Sequence, residues 1–90
     1  MTKTKQEIED ELIARIKPNN NKKFRERHRG MGIPEDGVLT TYRRLVEVGN
    51  SGNYVVQEGY VKHQELPNGD IISREINTAQ YPVEWAIEND

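Results

Sequence analysis

Asn68-Gly69 is the dipeptide that most restricts what this chain can become. It lies within Leu66-Pro67-Asn68-Gly69-Asp70, between two runs that mix apolar and polar residues, YVVQEGYVKHQE and IISREIN. Asn and Gly tolerate the positive φ of a tight turn, so residues 54–77 are expected to fold back as two antiparallel strands. The first run is long for one strand, and Gly59 near its middle predicts a bend or bulge. Tyr54 and Val56 fall on one face before that glycine and Val55 on the other, and Tyr60 and Val61 diverge after it. Beyond the turn, Ile72 and Ile76 share a face that Ile71 does not. Neither face reads as dry, so the hairpin is expected to need cover on each side.

Two other segments are candidate covers. Residues 4–17 read as a helix. Thr4-Lys5-Gln6-Glu7 fits a capping box, in which a Thr hydroxyl takes one free N–H and a Glu three residues on reaches back. Ile8, Leu12, Ile13 and Ile16 follow at helical spacing, acids crowd the first half, and Pro18 stops the run. A helix this short is marginal alone, so its stripe must pack on the sheet, on a second copy or on a partner. The second candidate is residues 81–87. Tyr81, Val83, Trp85 and Ile87 alternate with Pro82, Glu84 and Ala86, which predicts a strand. Pro82 cannot donate to a ladder, so the strand would lie at an edge. A short helix over residues 83–88, with Val83, Ala86 and Ile87 inward, is the alternative.

The middle of the chain is less regular. Residues 22–29, KKFRERHR, carry five cations against Glu26. Asn21 could cap a short helix there and Gly30 could end it, with Phe24 and His28 on one face. Phe24 is its only strongly apolar residue, which gives the segment little reason to bury. Gly30-Met31-Gly32-Ile33-Pro34 reads as loop. It lacks the third glycine of a dinucleotide fingerprint and the Lys-Ser/Thr of a phosphate loop. Residues 40–48 are expected to form a strand because of their β-branched residues and the turn cluster Gly49-Asn50-Ser51-Gly52 that follows. Helix is the alternative, since Val38, Leu39, Tyr42, Leu45 and Val46 also fit helical spacing, with Pro34-Glu35-Asp36 as a first turn.

Composition narrows the chemistry. The chain has 90 residues, enough for one domain, with 33% hydrophobic and 31% charged residues and a mean hydropathy of −0.93. A chain this small buries only about 60% of its unfolded surface, so a core this thin implies disordered portions, a partner, or a second copy. There is no cysteine, which excludes disulfides, thiolate metal ligation and thiol catalysis and fits a reducing cytoplasm. The first twelve residues have no apolar run of the signal or anchor type. Residues 1–21 are neutral, residues 22–29 carry +4, and residues 30–90 have four cations against ten acids, giving −6. His28 and His63 lack metal-ligand spacing, and Ser51 and Ser73 lack a nucleophile-elbow context. Neither a catalytic group, a metal, a cofactor nor a small-molecule substrate is implied.

These readings converge on a small α+β domain. An amphipathic helix at 1–17 would lead through a basic linker at 18–37 to an antiparallel β-meander of three to four strands at 38–90. The expected role is non-catalytic binding to a protein partner or to itself, in the cytoplasm and without a membrane. Apolar contact would come from Ile8, Leu12 and Ile16, or from the edge Tyr81, Val83, Trp85 and Ile87. Lys22, Lys23, Phe24, Arg25, Arg27 and Arg29, extended by Arg43 and Arg44, would steer the chain toward an acidic surface. The alternative is a nucleic-acid-binding accessory protein, in which the same basic arm contacts phosphates and Phe24 stacks on a base. Small, polar, cysteine-free chains without a motif are frequent in phages and mobile elements, which sets an expectation of style only.

Overall fold

A computed structural model describes residues 2–34 and 39–90. The elements in chain order are α1 (Lys5–Arg15), α2 (Asn21–Arg27), β1 (Thr41–Glu47), β2 (Tyr54–Glu65), β3 (Ile71–Pro82) and α3 (Val83–Glu88). The strands form one antiparallel sheet in the order β1-β2-β3. This is the expected helix followed by a meander, with three strands. No helix among the described residues is long and apolar enough to cross a membrane.

The register sorts the sheet into two unlike faces. Leu45 pairs with Val56, which pairs with Tyr81, and Thr41 pairs with Tyr60, which pairs with Ile76. Side chains alternate along a strand, so Thr41, Arg43, Leu45, Tyr54, Val56, Glu58, Tyr60, Ile76 and Tyr81 share one face. All three helices pack there. Phe24 of α2 meets Tyr60, Leu39 and Ile76 in one apolar cluster. Val83 and Ala86 of α3, with Leu12 and Ile16 of α1, meet Val56, Leu45 and Tyr54 in a second. The opposite face carries Tyr42, Arg44, Val46, Val55, Gln57 and Val61. The expectation of cover on both faces is therefore corrected, because polar cross-strand contacts dress the uncovered side. The Tyr42 hydroxyl donates to Asn77, Arg44 pairs with Glu75, and Gln80 donates to Gln57.

Gly59 is the bulge site expected of it. The register of β2 against β3 shifts between Glu58 and Gly59, leaving Thr78 as the extra residue in β3. A Cβ at Gly59 would run into the Tyr42 ring and the Ile76 carbonyl, so the close crossing of three strands here requires glycine. The hairpin turn also forms, with a different division of labour from the one expected. Only Gly69 takes positive φ, at 89°. The Gly69 N–H donates to Leu66 O at 2.9 Å and the Leu66 N–H to Asp70 O at 2.7 Å, while the Asn68 side chain accepts from the Asp70 N–H. Proline at the second turn position and glycine at the fourth suit this longer loop, and Asn68 contributes an Asx contact rather than left-handed backbone.

Three expectations about elements require correction. Residues 81–87 are not an edge strand. β3 runs unbroken through Thr78-Ala79-Gln80 to Pro82, and α3 begins at Val83. Beyond Pro82 only Tyr54 of β2 remains to pair with, opposite Val83, so a strand could continue by one residue at most. Helix then buries Val83 and Ala86 together on Val56, as the alternative reading had it. Second, the short helix allowed within the basic linker forms, but one residue earlier than the Asn21 cap expected, and it buries where little reason to bury was expected. α2 is capped by Asn20, whose side chain accepts from the Lys23 N–H, and Phe24 is completely buried. One ring with no exposed surface docks the helix, despite five cations around it. Third, α1 forms with its Thr4 cap accepting from the Glu7 N–H at 3.2 Å, but it buries no residue completely. Leu12 and Ile16 face the sheet, whereas Ile8 and Ile13 stay exposed. β1 supports the strand reading of residues 40–48; the first-turn residues Glu35 and Asp36, with Val38, lie outside the described residues.

Candidate interaction surface

The basic segment defines the site by what it spends internally. Glu58 sits on the helix-covered face between Val56 and Tyr60 and has no exposed surface. A carboxylate taken out of water costs several kcal/mol unless charge and hydrogen bonds replace its hydration. Arg27 Nη2 donates to Glu58 Oε1 at 2.6 Å, His28 Nε2 meets Oε2 at 2.8 Å, and Arg43 Nε lies 3.4 Å from Oε1. Thr78, the bulged residue, donates from Oγ1 to the Glu58 carbonyl at 3.2 Å. Burial pushes the Glu58 carboxyl up, but the hydrogen bonds from Arg27 and His28 and the charges of Arg27 and Arg43 outweigh it and hold the group below the usual carboxylate range.

The same guanidiniums are closed off on their other side. Their central carbons lie 5.2 Å (Arg27) and 5.4 Å (Arg43) from the Trp85 ring centre, and Trp85 stacks on Tyr81 at 4.0 Å. Burial first, then the Glu58 carboxylate, raises the Tyr81 hydroxyl above the usual tyrosine value. Arg27 also donates to Asp90 O at 3.1 Å, and Arg43 donates to Lys17 O at 3.0 Å and Asn89 O at 2.6 Å. One charge hub thus ties α2, α3, the three strands and the segment after α1 together.

Seven cations were expected to form the basic arm, and four of them are paired to carboxylates. Lys23 holds Asp90 at 2.6 Å, Arg27 and Arg43 hold Glu58, and Arg44 pairs with Glu75 while lying over the Tyr42 ring. Lys22, Arg25 and Arg29 have no carboxylate partner among the described residues, and Arg25 Nε donates to Pro34 O. Phe24, expected to stack on a base, is core. The apolar candidates divide in the same way. Leu12, Ile16, Val83 and Ile87 pack within the chain, Trp85 and Tyr81 stack on each other, and Ile8 stays at the surface.

An interaction surface that sequence reasoning missed remains at the open edge of β1. Thr40 and Val61 exchange a backbone bond, as do Val48 and Asn53, which flank β1 on each side. Antiparallel bonding alternates, so the N–H and C=O groups of Thr41, Arg43, Leu45 and Glu47 point away from β2. None of these eight groups has a partner among the described residues. A groove runs beside this edge, with Ile13, Ile16 and Pro18 on one wall and Thr41, Arg43 and Leu45 on the other. Ile13 is 56% exposed, and Arg43 Nη2 and Asn19 Nδ2 are buried without a hydrogen-bond partner. β3 offers a poorer edge because the bulge at Thr78 interrupts it and Pro82 lacks an N–H. Two signals in the sequence pointed here: a carboxylate in phase with Val56 and Tyr60, and one isoleucine, Ile13, offset from the Ile8-Leu12-Ile16 line. No cluster of three or more His, Asp or Glu suited to a metal occurs among the described residues. Compared with protein-family models, with curated proteins and with solved structures, the chain shows no match.

Proposed function

We propose that this protein is a non-catalytic interaction module that binds an extended protein segment by strand addition to β1. The observation that carries this reading is the row of unpartnered backbone groups at Thr41, Arg43, Leu45 and Glu47 beside an apolar groove. Main-chain pairing supplies affinity in this mode, and alternate side chains supply selectivity. Ile13 provides apolar contact on the helix side, and Lys22, Arg25 and Arg29 steer acidic partners. The nucleic-acid alternative draws less support, because four of the seven expected phosphate contacts are engaged internally. A catalytic reading of the His28–Glu58 pair draws little, since both side chains are buried and Glu58 is held by Arg27, His28 and Arg43 as a hub member.

Selection of displayed random peptides on the purified chain tests the proposal. Peptides are expected to enrich on the wild type and to lose binding on Glu47→Pro, which removes an edge-facing N–H but no bond to β2, and on Ile13→Arg, which fills the groove wall with charge. Circular dichroism verifies that both variants fold. No enrichment, or equal binding to wild type and both folded variants, would refute the reading.

A further inference from the structure

We infer that the segment β1 accepts is β1 of a second copy, paired antiparallel about a two-fold axis at Leu45, so that two three-stranded sheets become one of six strands. The inference rests on the strand-addition reading and names its occupant. β1 has seven residues with no proline, glycine or bulge, so nothing in its own backbone blocks another strand. Its sequence, TYRRLVE, then selects the register. An axis at Arg43 or at Arg44 would set that arginine directly against its own copy, and like charges opposite one another destabilise a pair. An axis at Leu45 sets Leu45 against the partner's Leu45 and Arg43 against the partner's Glu47. It also sets Arg44 against the partner's Val46 and Tyr42 against the partner's Val48. Every cation then faces an acid or an aliphatic side chain.

The backbone agrees with this choice. Arg43, Leu45 and Glu47 are edge-facing, so each of these pairs would exchange N–H···O bonds, while Arg44 and Val46 would form the closer non-hydrogen-bonded pairs. The Arg43 guanidinium stays with Glu58 and Glu47 with Lys5, at 2.7 Å, so setting Arg43 against the partner's Glu47 adds attraction between opposite charges across the seam without a new ion pair. Val46 and Val48, both exposed in one copy, would be covered beside Arg44 and Tyr42 of the other. Seven-residue strand pairing is small against the roughly 1,200 Å² of a stable interface, so the dimer is expected to be of the order of micromolar affinity.

Sedimentation of the wild type across concentration, to about 1 mM, should show the mass rise from 10.4 kDa toward twice that value. Glu47→Pro, verified as folded, should stay at one chain mass. The chain has no cysteine, so the register can be read by cross-linking. A mixture of Arg44→Cys and Val46→Cys chains should form a mixed disulfide at least about tenfold faster than either variant alone, because those Cα atoms would lie about 4.5 Å apart. Both positions are on the exposed face, so neither substitution touches the core. A mass that stays at one chain throughout overturns the dimer, and self-cross-linking of Arg44→Cys that outpaces the mixture overturns the register. A monomer that still selects displayed peptides at β1 sinks this inference alone; a monomer that selects none sinks the strand-addition reading as well.

Discussion

Glu58 is the residue whose replacement should be most informative. It stands between two apolar clusters, where a leucine would extend the core, yet it carries a charge that Arg27 and Arg43 neutralise and His28 hydrogen-bonds. Burying an ion pair contributes little net stability, but breaking one strands the remaining charges. Glu58→Gln leaves Arg27 and Arg43 without their carboxylate and should cost about 3–5 kcal/mol in urea unfolding. The pH dependence follows from the depressed carboxyl. A group with a lowered folded pKa contributes stability that is fully present above its unfolded value, 4.5 for Glu, and is lost as pH falls through the folded value. The wild type should therefore lose stability as pH is lowered below about 4.5, and Glu58→Gln should show a shallower loss. It should not be flat, because Glu47, Glu75 and Asp90, each hydrogen-bonded to a cation, are also held low. Equal acid slopes in the two proteins would show that the hub does not hold Glu58 ionised.

The helices differ in what holds them, and that difference decided how legible each was. α1 advertised itself through local signals, the Thr4 cap and a stripe at helical spacing, and its ends fall within two residues of expectation. α2 carried almost no such signal, because a single phenylalanine docks it, and one residue makes no periodic pattern. α3 carried a misleading one. Alternation through Tyr81, Val83, Trp85 and Ile87 is genuine up to Pro82, one residue short of where the partner strand runs out, and strand length is a property of the sheet rather than of the segment. The hub left one trace, Glu58 in phase with Val56 and Tyr60, but its partners were illegible, because sheet register brings Arg43 to Glu58 and the docking of α2 brings Arg27 and His28. Phe24→Ala and Thr4→Ala separate the two kinds of helix. Removing the buried ring should cost about 3–5 kcal/mol and lower the global unfolding midpoint. Removing the Thr4 cap should cost about 1 kcal/mol or less and mainly speed amide exchange within α1. A larger global loss from Thr4→Ala than from Phe24→Ala would reverse this ranking.

The whole molecule is longer than its chain length requires. Its radius of gyration is 15.7 Å, with extents of 56 × 29 × 20 Å, against roughly 12 Å for a compact chain of this size. The hairpin accounts for the excess. β1 begins opposite Tyr60, and Val61 is the last β2 residue bonded on that side, to Thr40, so residues 62–65 pair only with residues 71–74 and project as a two-stranded arm. Nearly every side chain on it is exposed, Ile71 at 68%. Two strands without a covered face are marginal in water, so the arm must depend on its turn and on the anchored strands behind Gly59. The Asn68-Gly69 turn thus governs the part of the sheet with least packing. Gly69 has φ of 89° and open space around it, so an added methyl clashes with nothing and acts through backbone conformation alone. Gly69→Ala should cost about 1 kcal/mol in the arm. If arm and body unfold as separate units, hydrogen exchange should accelerate several-fold at residues 62–65 and 71–74 while the amides of Val56 and Glu58 keep their protection. Uniform acceleration across the sheet would instead show that the hairpin and the hub unfold as one.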